Sequence, residues 1–127
     1  SSAASDVYKR QVQHKPESAL VGIDFNYRST LWSEDQCTSA MTPVLEQHTD
    51  ILVTSIYDMA RHYGIGCGGY SAAQVMGGEA SIISDDDLWS FGEMVIRRFQ
   101  LRAVVITLRR FLQMIGYAPP RVEKTPR

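Results

Sequence analysis

Three short runs of apolar and often branched residues, ALVGIDF at 19–25, DILVTS at 50–55 and AVVIT at 103–107, are separated by segments of helical period, and this alternation restricts the chain more than any other feature. Strands joined through helices form a parallel sheet with right-handed crossovers, so the fold class is read as α/β. Ser33 opens the first long helix. Gln36 stands three residues on and completes a capping box, while Glu34 and Asp35 suit the positive end of the helix dipole. Cys37, Met41, Val44, Leu45 and His48 then fall at helical spacing. Pro43 is expected to kink this helix or restart it with Thr42 as a fresh cap. The segment YDMARHYG reads as a short helix closed by Gly64, and Ser84 caps DDDLWSFGEMVIRRFQ, whose Leu88, Phe91, Val95 and Phe99 form one apolar stripe. Residues 64–84 are glycine-rich and read as loop with one helical turn. The chain shows no internal repeat.

Length then limits how much fold there is. A chain of 127 residues with 44% apolar content supports one core and not two. Residues 1–18 have neither period and read as an unpacked arm, a remnant of cloning or assembly or a cut inside a longer protein, outside the functional argument. The domain is placed at 19–109, followed by an unpatterned tail at 110–127. A formal charge of -1 and a pI near 6.3 exert no general pull toward nucleic acid or acidic membranes, which leaves small metabolites as partners. No apolar run approaches the ~18 residues of a membrane span. Cys37 and Cys67 lack the spacing of a metal site and fit a reducing cytoplasm.

The first apolar run hands over to Asp24, Asn26 and Arg28, spaced two apart. If the strand continues, all three side chains share one face, outside the carboxyl end where open parallel sheets hold ligands. The planar fork of Arg28 suits a carboxylate or a phosphate. A plainer reading stands beside it, in which Asp24 pairs with Arg28, and Asn26 and Tyr27 shape the turn.

The stretches DFNYRSTLWSEDQ, TDILVTSIYDMARHYGI and LRAVVITLRR resemble the middle of a PfkB-type, ribokinase-like carbohydrate kinase, closest to the 2-keto-3-deoxygluconate kinase branch. Asp24, Asn26, Arg28, Leu31 and Trp32 match that branch's Asp-x-Asn-x-Arg-x-x-Leu-Trp segment, and the likeness runs from about Leu20 to Arg109. The resemblance implies an incomplete parallel-sheet ribokinase-like fold, ATP with Mg2+ as cofactors of the parent enzyme, and a sugar or sugar acid as substrate. It implies that Asp24, Asn26 and Arg28 serve the substrate. Ser55, Asp58, Thr107 and Arg109 fall on the nucleotide side. Ser55 and Asp58 stand where the family has the Asn and Glu of Asn-x-x-Glu, and both reach less far. Ser55 is equally read as the cap of the short helix, and Thr107 and Arg109 as a strand end and a solvated charge.

The family's catalytic base is the Asp of a Gly-x-Gly-Asp loop, and no such sequence occurs in the chain. The expectation is therefore a kinase fragment, inactive alone, whose open sheet edges favour self-association into a homo-oligomer. Two rivals are carried. One is a non-catalytic binding or interaction module. The other is a dinucleotide-binding dehydrogenase domain resting on Gly64, Gly66 and Gly69, with Asp85 to Asp87 at a tolerable distance; against it, that loop follows a helix, not a strand. The aspartate triplet suits a helix dipole without a metal. His14, His48 and His62 lie in separate segments and receive no catalytic role.

Overall fold

A computed structural model describes residues 19–108, the backbone of 112–117, and Asp6, Val7 and Arg10. Arg109, the rest of the arm 1–18 and the tail beyond 117 lie outside the described residues. The elements are β1 (Gly22–Asp24), α1 (Glu34–His48), β2 (Ile51–Thr54), α2 (Ile56–Tyr63), α3 (Ala72–Met76), α4 (Asp85–Phe99), β3 (Ala103–Thr107) and β4 (Leu112–Tyr117). The strands lie in the order β1-β2-β3-β4; β1, β2 and β3 are mutually parallel, and β4 runs antiparallel to β3. The α/β class is as expected. The reading of 110–127 as unpatterned is corrected at β4, whose sequence LQMIGY has an interior glycine and no alternation, so only its pairing with β3 defines it.

Local chemistry sets the helix ends. Ser33, Ser71 and Ser84 each accept from the backbone N–H three residues on, while Gln36, Gln74 and Asp87 reciprocate to the cap N–H, which makes three capping boxes. Gly64 closes α2 in the left-handed region at φ 66°, where a side chain would be strained. The expected break at Pro43 does not occur, since α1 runs through it without interruption. Thr42 does not act as a cap: its hydroxyl donates to the Thr38 carbonyl at 2.6 Å and lies 3.0 Å from the Tyr63 hydroxyl. Packing of Met41, Val44 and Leu45 on either side of the proline holds the helix in one piece.

The core lies on one face of the sheet. Ile23, Leu52 and Val104 are register partners across three strands, are buried, and pack with Met41, Leu45, Met59, Val95 and Phe99 of the helices. The opposite face is open, with Gly22 and Asp24 exposed and Ile51, Val53 and Val105 only partly covered. The first run is half-buried, as Val21 to Asn26 alternates buried and exposed. Asp50 ties the amino ends of the strands together: its carboxylate accepts from the Val21 N–H at 2.9 Å and its carbonyl from the Arg102 N–H at 2.8 Å. No described helix is long and apolar enough to cross a membrane.

Candidate functional site

At the carboxyl ends of β2 and β3 a cavity of about 570 Å3 opens, within the range of metabolite sites. Ser55, Ile56 and Tyr57 line it from the start of α2, and Thr107 and Leu108 from the end of β3. Ala80, Ser81, Ile83 and Leu88 close the third side. Two adjacent parallel strands thus end in one cavity, the arrangement expected of an open α/β sheet. Its described walls are apolar with hydroxyl groups, and no charged side chain is among them. The N–H groups of Ile56 and Tyr57 belong to the first helical turn, which has no acceptor within its own helix.

Ser55 does what its plainer reading requires. Its hydroxyl oxygen accepts from the Asp58 N–H at 3.1 Å and its proton goes to Asp58 Oδ2 at 3.1 Å. Thr107 donates to the Thr54 carbonyl at 3.3 Å and so links the two strand ends. Asp58 is not among the residues lining the cavity and is held to it through Ser55. Burial pushes its carboxyl above the ordinary aspartate value, with the Ser55 hydroxyl, His62 and Arg61 pulling it back and Asp24 adding to the rise.

Asp24, Asn26 and Arg28 do not line this cavity. All three are exposed. The strand ends at Asp24, although the Phe25 N–H still bonds to the Val53 carbonyl at 2.7 Å, so the alternation carries on past it and keeps Asp24 and Asn26 on the open side. Arg28 starts a turn in which its carbonyl accepts from the Leu31 N–H at 3.0 Å. The described ion pairs are Arg61–Glu34, Arg97–Glu93 and Arg98–Glu46, and Asp24 and Arg28 do not pair with each other. Arg109 lies outside the described residues. Of the sequence-predicted residues, then, Ser55 and Thr107 share the cavity, Asp58 is bonded to Ser55 from outside its lining, and Asp24, Asn26 and Arg28 do not line it.

Tyr57, Ser81, Ile83 and Leu108 were not among the residues singled out in the sequence. Tyr57 could have been found from its place three residues after the end of β2, whereas Ser81 and Ile83 sit in irregular chain that carries no periodic signal. The glycine loop also has a defined form. Cys67 and Tyr70 exchange two backbone hydrogen bonds of 3.0 Å around Gly68 and Gly69, both at positive φ, and the loop joins α2 to α3 instead of leaving a strand. Asp87 is engaged as the reciprocal partner in the Ser84 cap. For a metal, the donor set does not fit: among the described residues no three His, Cys, Asp or Glu side chains are placed to hold an ion.

No family model and no curated protein matches the sequence. Among solved structures, the 2-dehydro-3-deoxygluconokinase of Thermotoga maritima matches with a TM-score of 0.53 and 22% sequence identity. The match covers 81% of this chain and 26% of that one, so the chain spans about a quarter of the length of the kinase. At that identity the likeness is one of fold: the three-stranded parallel sheet with its helices matches part of a ribokinase-like α/β architecture.

Proposed function

We propose that the chain is part of an ATP-dependent carbohydrate kinase acting on a sugar or, more narrowly, a 2-keto-3-deoxy sugar acid. The supporting observation is the cavity shared by Ser55 and Thr107 at the ends of two adjacent parallel strands, in a fold similar to that of a 2-dehydro-3-deoxygluconokinase. In this reading the nucleoside packs against Ile56, Ile83, Leu88 and Leu108, and the hydroxyls of Ser55 and Thr107, with Arg109, face its phosphates. Asp58 acts one layer behind by fixing Ser55. Arg28 holds the sugar-acid carboxylate, and Asp24 and Asn26 shape its approach.

The reaction would move the γ-phosphoryl group of ATP to a sugar hydroxyl, with charge neutralisation as the protein's main task. Magnesium, when bound with the nucleotide, supplies part of that neutralisation; the described side chains form no cage for it. The chain has no Gly-x-Gly-Asp, so turnover is expected only alongside a segment that supplies the base, and the setting proposed is the cytoplasm. Calorimetric titration of ATP into the chain is expected to show saturable binding, at least tenfold weaker in Thr107→Val with Ser55→Ala. Equal binding by the double variant, or none by the parent chain, overturns the reading.

A second reading, a binding module without catalysis, is favoured by the missing base motif and predicts ligand binding without turnover. Release of ADP in the presence of a 2-keto-3-deoxy sugar acid would exclude it.

A further inference from the structure

Away from the cavity, a polar cluster sits where the segment after β1 meets α1 and α2. His62 of α2 is only 8% exposed, and its ring lies against both Phe25 and Tyr27, with centroids 4.9 Å from each. Its Nδ1 is 2.8 Å from Thr38 Oγ1 on α1. The Thr38 hydroxyl already donates its one proton to the Glu34 carbonyl at 2.9 Å, so Nδ1 carries a proton and donates to Thr38. Nε2 is then a bare acceptor, and it is buried without a partner. A proton arriving there would create a charged N–H with no acceptor in reach.

The charged and titratable groups around the ring are Asp58 and Arg61 on α2, Glu34 on α1, and Tyr27 in the segment after β1. Arg61 is itself fixed, 3.4 Å from the Glu34 carboxylate and 5.4 Å over the Tyr27 ring. Burial holds the imidazole below the ordinary histidine value; Asp58 and Glu34 oppose that and Arg61 adds to it. Phe25 and Tyr27 are the inward residues of the same segment whose outward residues are Asp24, Asn26 and Arg28.

We propose that His62 is a positioning residue that latches the Phe25–Arg28 segment to α2 while neutral, and that its protonation releases the segment. The latch stands on the contacts above, and its consequence for substrate rests on the reading of Arg28 given under Proposed function. Two-dimensional NMR of the full chain between pH 8 and 5 tests it. The amides of Phe25 to Arg28 are expected to shift with one midpoint, shared with the His62 ring proton and below the ordinary histidine value of about 6.5, while amides of Leu88 to Val95 do not follow it. In His62→Phe that shared transition disappears; Thr38→Val, which removes only the hydroxyl facing Nδ1, moves its midpoint. Flat segment amides at the His62 midpoint, or α4 amides moving in step, overturn the latch, and the unmodified chain alone decides this if either variant fails to fold. Titration of 2-keto-3-deoxygluconate is expected to give at least tenfold weaker binding at pH 5.5 than at pH 7.5. Equal binding at both values overturns the positioning role, whereas no binding at either pH overturns the substrate reading and leaves the latch to the NMR result.

Discussion

Ser55 caps α2 through the Asp58 N–H and faces the cavity at the same time, so one hydroxyl serves stability and the proposed site together. Ser55→Ala is expected to cost about 1 kcal/mol in urea unfolding, the usual worth of a cap, and a loss below about 0.3 kcal/mol would contradict the capping geometry. Cys37 and Cys67 are buried, and burial pushes both thiols up to about 11, so neither is a nucleophile near neutral pH. Alkylation at pH 8 is expected to run about 100-fold slower in the native chain than in urea; comparable rates would show that the thiols are accessible. The sign of the pH dependence follows from His62 and Asp58. Because the native imidazole is held below its ordinary value, the unfolded chain binds more protons as pH falls below about 6.5, and stability is lost there. Asp58 is held above its ordinary value and works the other way at lower pH, where its protonation relieves a buried charge. The urea midpoint of the chain should therefore fall between pH 7 and 5.5, and fall less in His62→Phe. His62 was legible in the sequence only as a helix residue, since its role depends on Phe25 and Tyr27, more than thirty positions away.

At the scale of elements, the caps at Ser33 and Ser84 were legible because each is written in four consecutive residues, and Gly64 also closes its helix as read, whereas the same signal at Ser71 and Gln74 was hidden among the glycines around it. Pro43 was misread for the opposite reason. Its local cost is real, but the core contacts of α1 override it, and those contacts come from α2 and α4. Pro43→Ala should raise stability by about 1–3 kcal/mol in chemical denaturation, since it restores the N–H bond to the Ser39 carbonyl; no gain would mean that α1 is bent at the proline to suit its neighbours. The glycine loop gives a sharper case. A Cβ on Gly66 would come 2.2 Å from the Tyr70 carbonyl oxygen, so Gly66→Ala is expected to destabilise by at least about 2 kcal/mol, measured as a fall in Tm. A dinucleotide-binding role would instead predict a loss of NADH binding with Tm unchanged.

For the molecule as a whole, helices cover one face of the sheet while Ile51, Val53 and Val105 on the other remain partly open, and β1 is an edge strand. Parallel sheets are ordinarily covered on both faces, so the chain is expected to self-associate, with an apparent mass that rises with concentration in gel filtration. A single monomeric species with one sharp thermal transition would contradict that. The α/β class could be read from three branched runs at the right intervals, but that Arg28 is not among the residues lining the Ser55–Thr107 cavity could not, because residue order does not fix which side chains close a cavity. The central claim, that this cavity receives a nucleotide, is tested most directly by mapping amide shifts on addition of ATP. Shifts gathered at 55–57, 80–83 and 107–108 are the predicted result, and shifts confined to 66–70, or none at saturating nucleotide, would contradict it.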